Sequence, residues 1–159
     1  MRGTCEKLSE PTREKTMQSF LEKGERAMKI DAEMVQRWLD AYTHAWMTYD
    51  PDEIAALFTD DAQYRWHPWD EGEDVARGRS HIVAAWRENR DPAGTYRSEY
   101  RPLLVKDSMA IAVGVSSCYT DQTQRELKRA YHNLWVLHFT DEGQCRSFTE
   151  WYMQAPDKS

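Results

Sequence analysis

From Tyr96 onward the hydrophobic period of this chain drops from 3.6 residues to 2 and stays there almost to the end. The spans Tyr96 to Val105, Met109 to Tyr119, Leu127 to Phe139 and Cys145 to Met153 read as four long strands. Lys106-Asp107-Ser108, Asp121 to Glu126 and Asp141-Glu142-Gly143 separate them with turn-forming residues. Strands joined this way pair with their neighbours as an antiparallel meander. One face of such a sheet must be covered, and the cover has to come from upstream. The spacing therefore predicts an α+β domain whose helices precede the sheet and pack on one side of it.

One strand also specifies the shape. In Met109 to Tyr119 the large residues Met109, Ile111, Val113 and Val115 alternate with Ala110, Ala112, Gly114 and Ser116. One face is thick, and the other allows close approach or sharp bending, so a bent sheet is expected.

The helical cover is legible in the first 90 residues. Asp31 is placed to cap a helix with the apolar stripe Met34, Trp38, Ala41, Tyr42, Ala45 and Tyr49, with Trp46 beside it. Asp50-Pro51-Asp52 opens a short second helix through Ile54, Ala55, Leu57 and Phe58, ended by Asp60-Asp61. A third runs from Arg79 to Glu88 on Ile82, Val83, Ala85 and Trp86 and is closed by Asp91-Pro92-Ala93-Gly94. Before all of these, Met17, Phe20, Leu21, Gly24, Ala27 and Met28 recur at helical spacing after Pro11. They predict an extra amphipathic helix within residues 1–30.

At 159 residues the chain has the length of one domain. Its net charge of −6, without a long basic run, sets nucleic acid aside as a partner. Cys5, Cys118 and Cys145 are odd in number and form no C-x-x-C pair, which favours a reducing, cytoplasmic setting over a disulfide framework or a zinc site. The first seven residues hold no apolar signal core, and no run of apolar residues is long enough to span a membrane. Asp70, Glu71, Glu73 and Asp74 read as a solvated loop, and no metal is expected there.

Seven Trp and eight Tyr are many for this length, and amphipathic aromatics suit the walls of pockets. They concentrate in Leu57-Phe58-Thr59-Asp60-Asp61-Ala62-Gln63-Tyr64-Arg65-Trp66-His67-Pro68-Trp69, where a helix gives way to a strand. Such a run can line a concave small-molecule site.

Helix, short helix ending in Ala55-Ala56-Leu57-Phe58-Thr59-Asp60-Asp61-Ala62, strand, Arg77-Gly78-Arg79-Ser80-His81-Ile82 helix, four strands and a closing Phe148-Thr149-Glu150-Trp151-Tyr152: this order resembles the nuclear transport factor 2-like superfamily, and its SnoaL-like members in particular. The likeness covers residues 31–156, leaving 1–30 as a helical extension and 157–159 as a tail. It implies a cone: a strongly curved antiparallel or mixed sheet wrapped around three helices, with a pocket inside and a homodimer across the outer sheet. Aligned through Leu57-Phe58, Tyr42 falls where ketosteroid isomerase carries its oxyanion tyrosine. That enzyme's general base falls at Trp66 or His67 and its second oxyanion acid near Trp135, so steroid-isomerase chemistry is not implied.

Two residues are candidates for moving a proton. Glu150 shares a strand face with Phe148 and Tyr152, among aromatics where burial raises a carboxyl pKa; its alternative is an ion pair with Arg65 or Arg129. His67 offers an imidazole able to abstract or return a proton, but strand parity turns it away if Tyr64 and Trp66 face the cavity. Tyr42, Trp46, Tyr64, Trp66, Trp69, Asn133, Trp135, Phe148 and Tyr152 are the expected ligand-binding residues. The reading is a cofactor-independent enzyme performing cyclisation, isomerisation or dehydration on a small apolar carbonyl compound. Its alternative is a non-catalytic ligand-binding or dimerisation module of the same fold.

Overall fold

The computed structural model describes residues 30–154 and 156; the expected helix within residues 1–30, Cys5 and the tail at 157–159 lie outside them. Helix α1 (Ala32–Thr48) starts where Asp31 Oδ1 accepts the Met34 amide at 2.8 Å and ends at Tyr49 in the left-handed region. Helix α2 (Pro51–Leu57) follows at once, with Asp50 Oδ1 accepting from the amides of Asp52 and Glu53. Strand β1 (Phe58–Arg65), a two-residue strand β2 (Ala76–Arg77) and helix α3 (Arg79–Glu88) complete the first half. Strands β3 (Tyr96–Lys106), β4 (Met109–Tyr119), β5 (Leu127–Phe139) and β6 (Cys145–Gln154) form the meander that the period of 2 predicts.

The sheet is six-stranded and open, in the order β2-β1-β6-β5-β4-β3. Every neighbouring pair is antiparallel except β1 and β6, which run parallel, so the sheet is mixed. Three helices against this sheet give the expected α+β, cone-like architecture.

Two local expectations are corrected. Phe58 does not extend α2; it begins β1, because its fully buried ring packs edge-on against Trp38 and Tyr64, and pairing with Cys145 of β6 draws its backbone into the sheet. The buried stripe of α1 is Val35, Trp38, Leu39, Tyr42 and Ala45, so Ala41 is solvent-facing and the helix is rotated toward its branched aliphatic residues. The Trp38 indole donates to the Leu57 carbonyl at 3.0 Å and ties α1 to the end of α2.

The small face of β4 is the inner one. Ala110, Ala112 and Ser116 are buried, whereas Ile111 and Val113 are half-buried and Val115 is exposed on the outer side. Gly114 lies between Tyr100 of β3 and Asn133 of β5 in register. A Cβ at Gly114 would collide with the Tyr100 ring and the Glu99 carbonyl, so the missing side chain is what allows Tyr100 to lie across β4.

Candidate functional site

The inner face of the sheet and α1 enclose a cavity of about 400 Å3. Tyr42 and Trp46 of α1 face it from one side, with Tyr64 of β1 and Trp66 just beyond that strand. Tyr96 and Tyr100 of β3, Tyr131 and Trp135 of β5, and Tyr152 of β6 complete the aromatic wall. Inward-facing positions two apart on successive strands produce this clustering, since alternate side chains share a sheet face.

Hydroxyls and one amide form two hydrogen-bonded groups in the wall. Tyr42 and Tyr64 share a hydrogen bond of 2.7 Å between their hydroxyls. Asn133 Nδ2 donates to the Tyr100 hydroxyl at 2.9 Å and to Ser116 Oγ at 3.1 Å. Burial pushes the phenols of Tyr42, Tyr64 and Tyr96 well above 10.0, and Tyr100 follows for the same reason. They are neutral donors at physiological pH.

Glu150 lines the same cavity, and its Oε1 accepts the Trp135 indole N–H at 3.0 Å. Trp135 and Glu150 are cross-strand partners, as are Asn133 and Tyr152, so the four residues form one patch on β5 and β6. Burial raises the Glu150 carboxyl above its ordinary value of 4.5, opposed by the indole hydrogen bond and by His67. Among the described residues Glu150 makes no ion pair with Arg65 or Arg129.

The far end of the cavity is charged. Asp91 Oδ2 accepts the Trp46 indole N–H at 3.1 Å, and its other oxygen faces the Arg129 guanidinium at 3.9 Å. Cys118 sits beside this pair; burial, then Asp91, pushes its thiol up, so it is no activated nucleophile.

His67 is not on the cavity wall. It follows the end of β1, where Asp70 accepts from its backbone N–H at 2.9 Å and holds its Nδ1 at 3.1 Å. Its Nε2 meets the Tyr152 hydroxyl at 3.1 Å. Asp70 is therefore buried, at 8% exposure, rather than part of a solvated loop; Glu71, Glu73 and Asp74 are exposed. His67 lines an adjoining groove with Trp69, Leu134, Trp151 and Met153, which shares Asn133, Glu150 and Tyr152 with the cavity.

The structure thus brings together Glu150, Tyr42, Trp46, Tyr64, Trp66, Asn133, Trp135 and Tyr152, and separates three others. Trp69 is 74% exposed and stacks on His67 outside the cavity, because Pro68 and Asp70 turn the chain away after β1. Phe148 is fully buried behind the wall, stacked on Tyr64 at 4.1 Å, and is core. Sequence reasoning does not single out Tyr96, Tyr100, Ser116 or Asp91 for the cavity, and takes Arg129 only as an ion-pair partner for Glu150. Parity gives access to Tyr96 and Tyr100, since positions four apart in a strand share a face, whereas Asp91 carries no signal beyond its place in the helix stop.

Among the described residues no group of three His, Cys, Asp or Glu side chains is arranged to hold a metal, and no helix is long and apolar enough to cross a membrane.

Residues 35–148 match the SnoaL-like domain family. No curated protein matches the chain. Among solved structures, a putative ketosteroid isomerase from Kribbella flavida is similar at 16% identity, covering 81% of this chain and 84% of its own, with a TM-score of 0.58. An NTF-2 like protein of unknown function from Burkholderia xenovorans is similar at 18% identity, covering 80% and 88%, with a TM-score of 0.57. An epoxide hydrolase/cyclase-like enzyme of pyran ring formation in the polyether salinomycin is similar at 16% identity, covering 77% and 93%, with a TM-score of 0.58. At these identities the likeness is one of fold.

Proposed function

The chain belongs to the SnoaL-like domain family, and on that premise we propose that it is a cofactor-independent acid/base catalyst acting on a small apolar carbonyl compound. The observation that carries this reading is Glu150, a carboxylate set in an aromatic wall, oriented by the Trp135 indole and raised in pKa by burial. A carboxylate in such a place is poised to take a proton from carbon next to a carbonyl. The Tyr42–Tyr64 pair supports the same reaction: one hydroxyl hydrogen is spent inside the pair, leaving the other for the developing enolate oxygen. Returning the proton to a different carbon completes an isomerisation. Attack of the enolate carbon on a second carbonyl of the same substrate, with protonation of the new alkoxide, completes a cyclisation. Asn133 does not supply a donor to the enolate oxygen, since both its observed donations go to protein hydroxyls.

As a base, Glu150 works only when ionised, so activity rises with pH through its raised pKa. The direct test is exchange of the α-hydrogens of aryl ketones in deuterated water, followed by NMR. Catalysed exchange is expected, falling about 10²–10⁴-fold in Glu150→Gln. Ketones that bind without any catalysed exchange would overturn the reading in favour of a ligand-binding module.

The second element of the reading is a homodimer across the outer sheet face. Val113, Leu134 and Trp151 form one cross-strand row there, and Val115, His132 and Met153 the next. Leu134 at 37%, Trp151 at 42% and Met153 at 74% exposure make this an apolar surface of the kind that a second copy covers.

A further inference from the structure

Asp70, His67 and Tyr152 form a continuous hydrogen-bonded chain beside Glu150. Asp70 Oδ2 accepts the His67 backbone N–H at 2.9 Å, and its Oδ1 lies 3.1 Å from His67 Nδ1. A carboxylate only accepts, so Nδ1 carries a hydrogen and points it at Asp70. That leaves Nε2 for the Tyr152 hydroxyl, at 3.1 Å. Trp69 stacks on the imidazole at 4.9 Å, and the Tyr131 ring meets Tyr152 edge-on at 5.2 Å, so both rings of the chain are supported by aromatic neighbours.

The charge on His67 sets the direction of the last bond. A neutral imidazole has a lone pair at Nε2, and Tyr152 spends its hydroxyl hydrogen there. An imidazolium instead donates from Nε2 to the Tyr152 oxygen, which releases the hydroxyl hydrogen toward whatever lies beside Tyr152. The titratable and charged groups that face His67 are Asp70 from its own loop, Glu150 and Tyr152 from β6, and His132 from β5, which lines the same groove. Tyr152 is within reach of a ligand: it is 44% exposed and lines both the cavity and the adjoining groove, as does Glu150. The two stand two residues apart on one face of β6, with Cα atoms about 7 Å apart, so one small molecule can touch both.

We propose that Tyr152 is the proton donor that completes the reaction Glu150 begins, with His67 and Asp70 as positioning residues that act through it. The inference rests on Glu150 as the base and adds the acid that it works with. In an isomerisation of a β,γ-unsaturated ketone, the α-carbon C–H bond breaks and its proton passes to the Glu150 carboxylate. The Tyr152 O–H bond breaks as its hydrogen forms the new C–H bond at the γ-carbon, and protonated His67 passes its Nε2 hydrogen to the Tyr152 oxygen. His67 then regains a proton from water and Glu150 gives one up, so no net proton is consumed. The His67 side chain, 32% exposed, is open to that exchange.

The test is the isomerisation of allyl phenyl ketone to propenyl phenyl ketone by the whole chain in deuterated water, with the new methyl group followed by NMR. A donor refilled from solvent is expected to place one deuterium in that methyl group. In Tyr152→Phe, turnover is expected to slow at least about tenfold, and the methyl group to keep the hydrogen taken from the α-carbon, because Glu150 must then return it alone. His67→Gln keeps a hydrogen-bonding side chain beside Tyr152 but supplies no proton, and the same retention is expected. A merely structural role for the chain would not change the origin of that hydrogen.

A wild-type product whose methyl group keeps the substrate's hydrogen overturns the inference and leaves Glu150 as the base. So does a deuterium content that Tyr152→Phe or His67→Gln leaves unchanged, and so does α-hydrogen exchange without isomerisation. The wild-type measurement stands even if a variant fails to fold. Absence of both exchange and isomerisation removes the Glu150 reading and this inference together.

Discussion

Gly114 and Glu150 carry more of the site than their neighbours, for opposite reasons. Gly114 acts by having no side chain: Tyr100 lies over it and joins Asn133, so a methyl group there must displace both the ring and the Glu99 carbonyl. Gly114→Ala is expected to lose about 1–3 kcal/mol in urea unfolding, and Tyr100→Ala should recover part of that loss in the double variant but not all of it, since the Glu99 carbonyl also stands in the way. Additive losses would show that the Tyr100 ring is not the obstacle. Glu150 acts by charge. Its carboxyl binds a proton more tightly folded than unfolded, so between 4.5 and its raised folded value the native state holds more protons. Stability from this group is full below that window, falls as pH rises through it, and is level above it. Urea midpoints from about pH 4 to about pH 8 should therefore show a decline in the wild-type chain that Glu150→Gln lacks. Parallel curves would mean that burial does not perturb the carboxyl.

At the scale of elements, the helices are placed by their ends. Asp50 accepts two amides at the start of α2, and the Trp38 indole holds the last carbonyl of that helix, so a seven-residue segment too short to persist alone is fixed at both termini. Asp50→Ala should lose about 1 kcal/mol of stability, while Asp50→Asn, which keeps the cap, should lose little; equal losses would point to charge rather than capping. The boundary between α2 and β1 shows where local reasoning stops. Helical spacing carries the pattern through Phe58, but the ring of Phe58 is wanted in the core between Trp38 and Tyr64, and sheet pairing to Cys145 begins there. The rotation of α1 has the same origin: Val35 and Leu39 offer more apolar surface to the sheet than Ala41, and burial decides the face.

At the scale of the molecule, the open sheet carries exposed apolar side chains on its outer face and an aromatic-walled cavity on its inner face, so the proposed chemistry and the proposed association fall on opposite sides. If the outer face is the dimer interface, Leu134→Glu should shift the chain to monomer in light scattering while leaving α-hydrogen exchange measurable. A dimer unaffected by that substitution would place the interface elsewhere.

The α+β class, the meander of β3 to β6 and the three helices are legible before folding, because each follows from a period of 3.6 or 2 in the chain. The sequence also points to Glu150 as an acid among aromatics. Folding in three dimensions is what buries Asp70 against His67, brings His67 to Tyr152 from outside the cavity, and sets Asp91 and Arg129 at its other end. Those contacts join residues from loops and from strands far apart in the chain. Loops carry no period, and the reach of a side chain across a sheet depends on what its neighbours omit, as Tyr100 depends on Gly114.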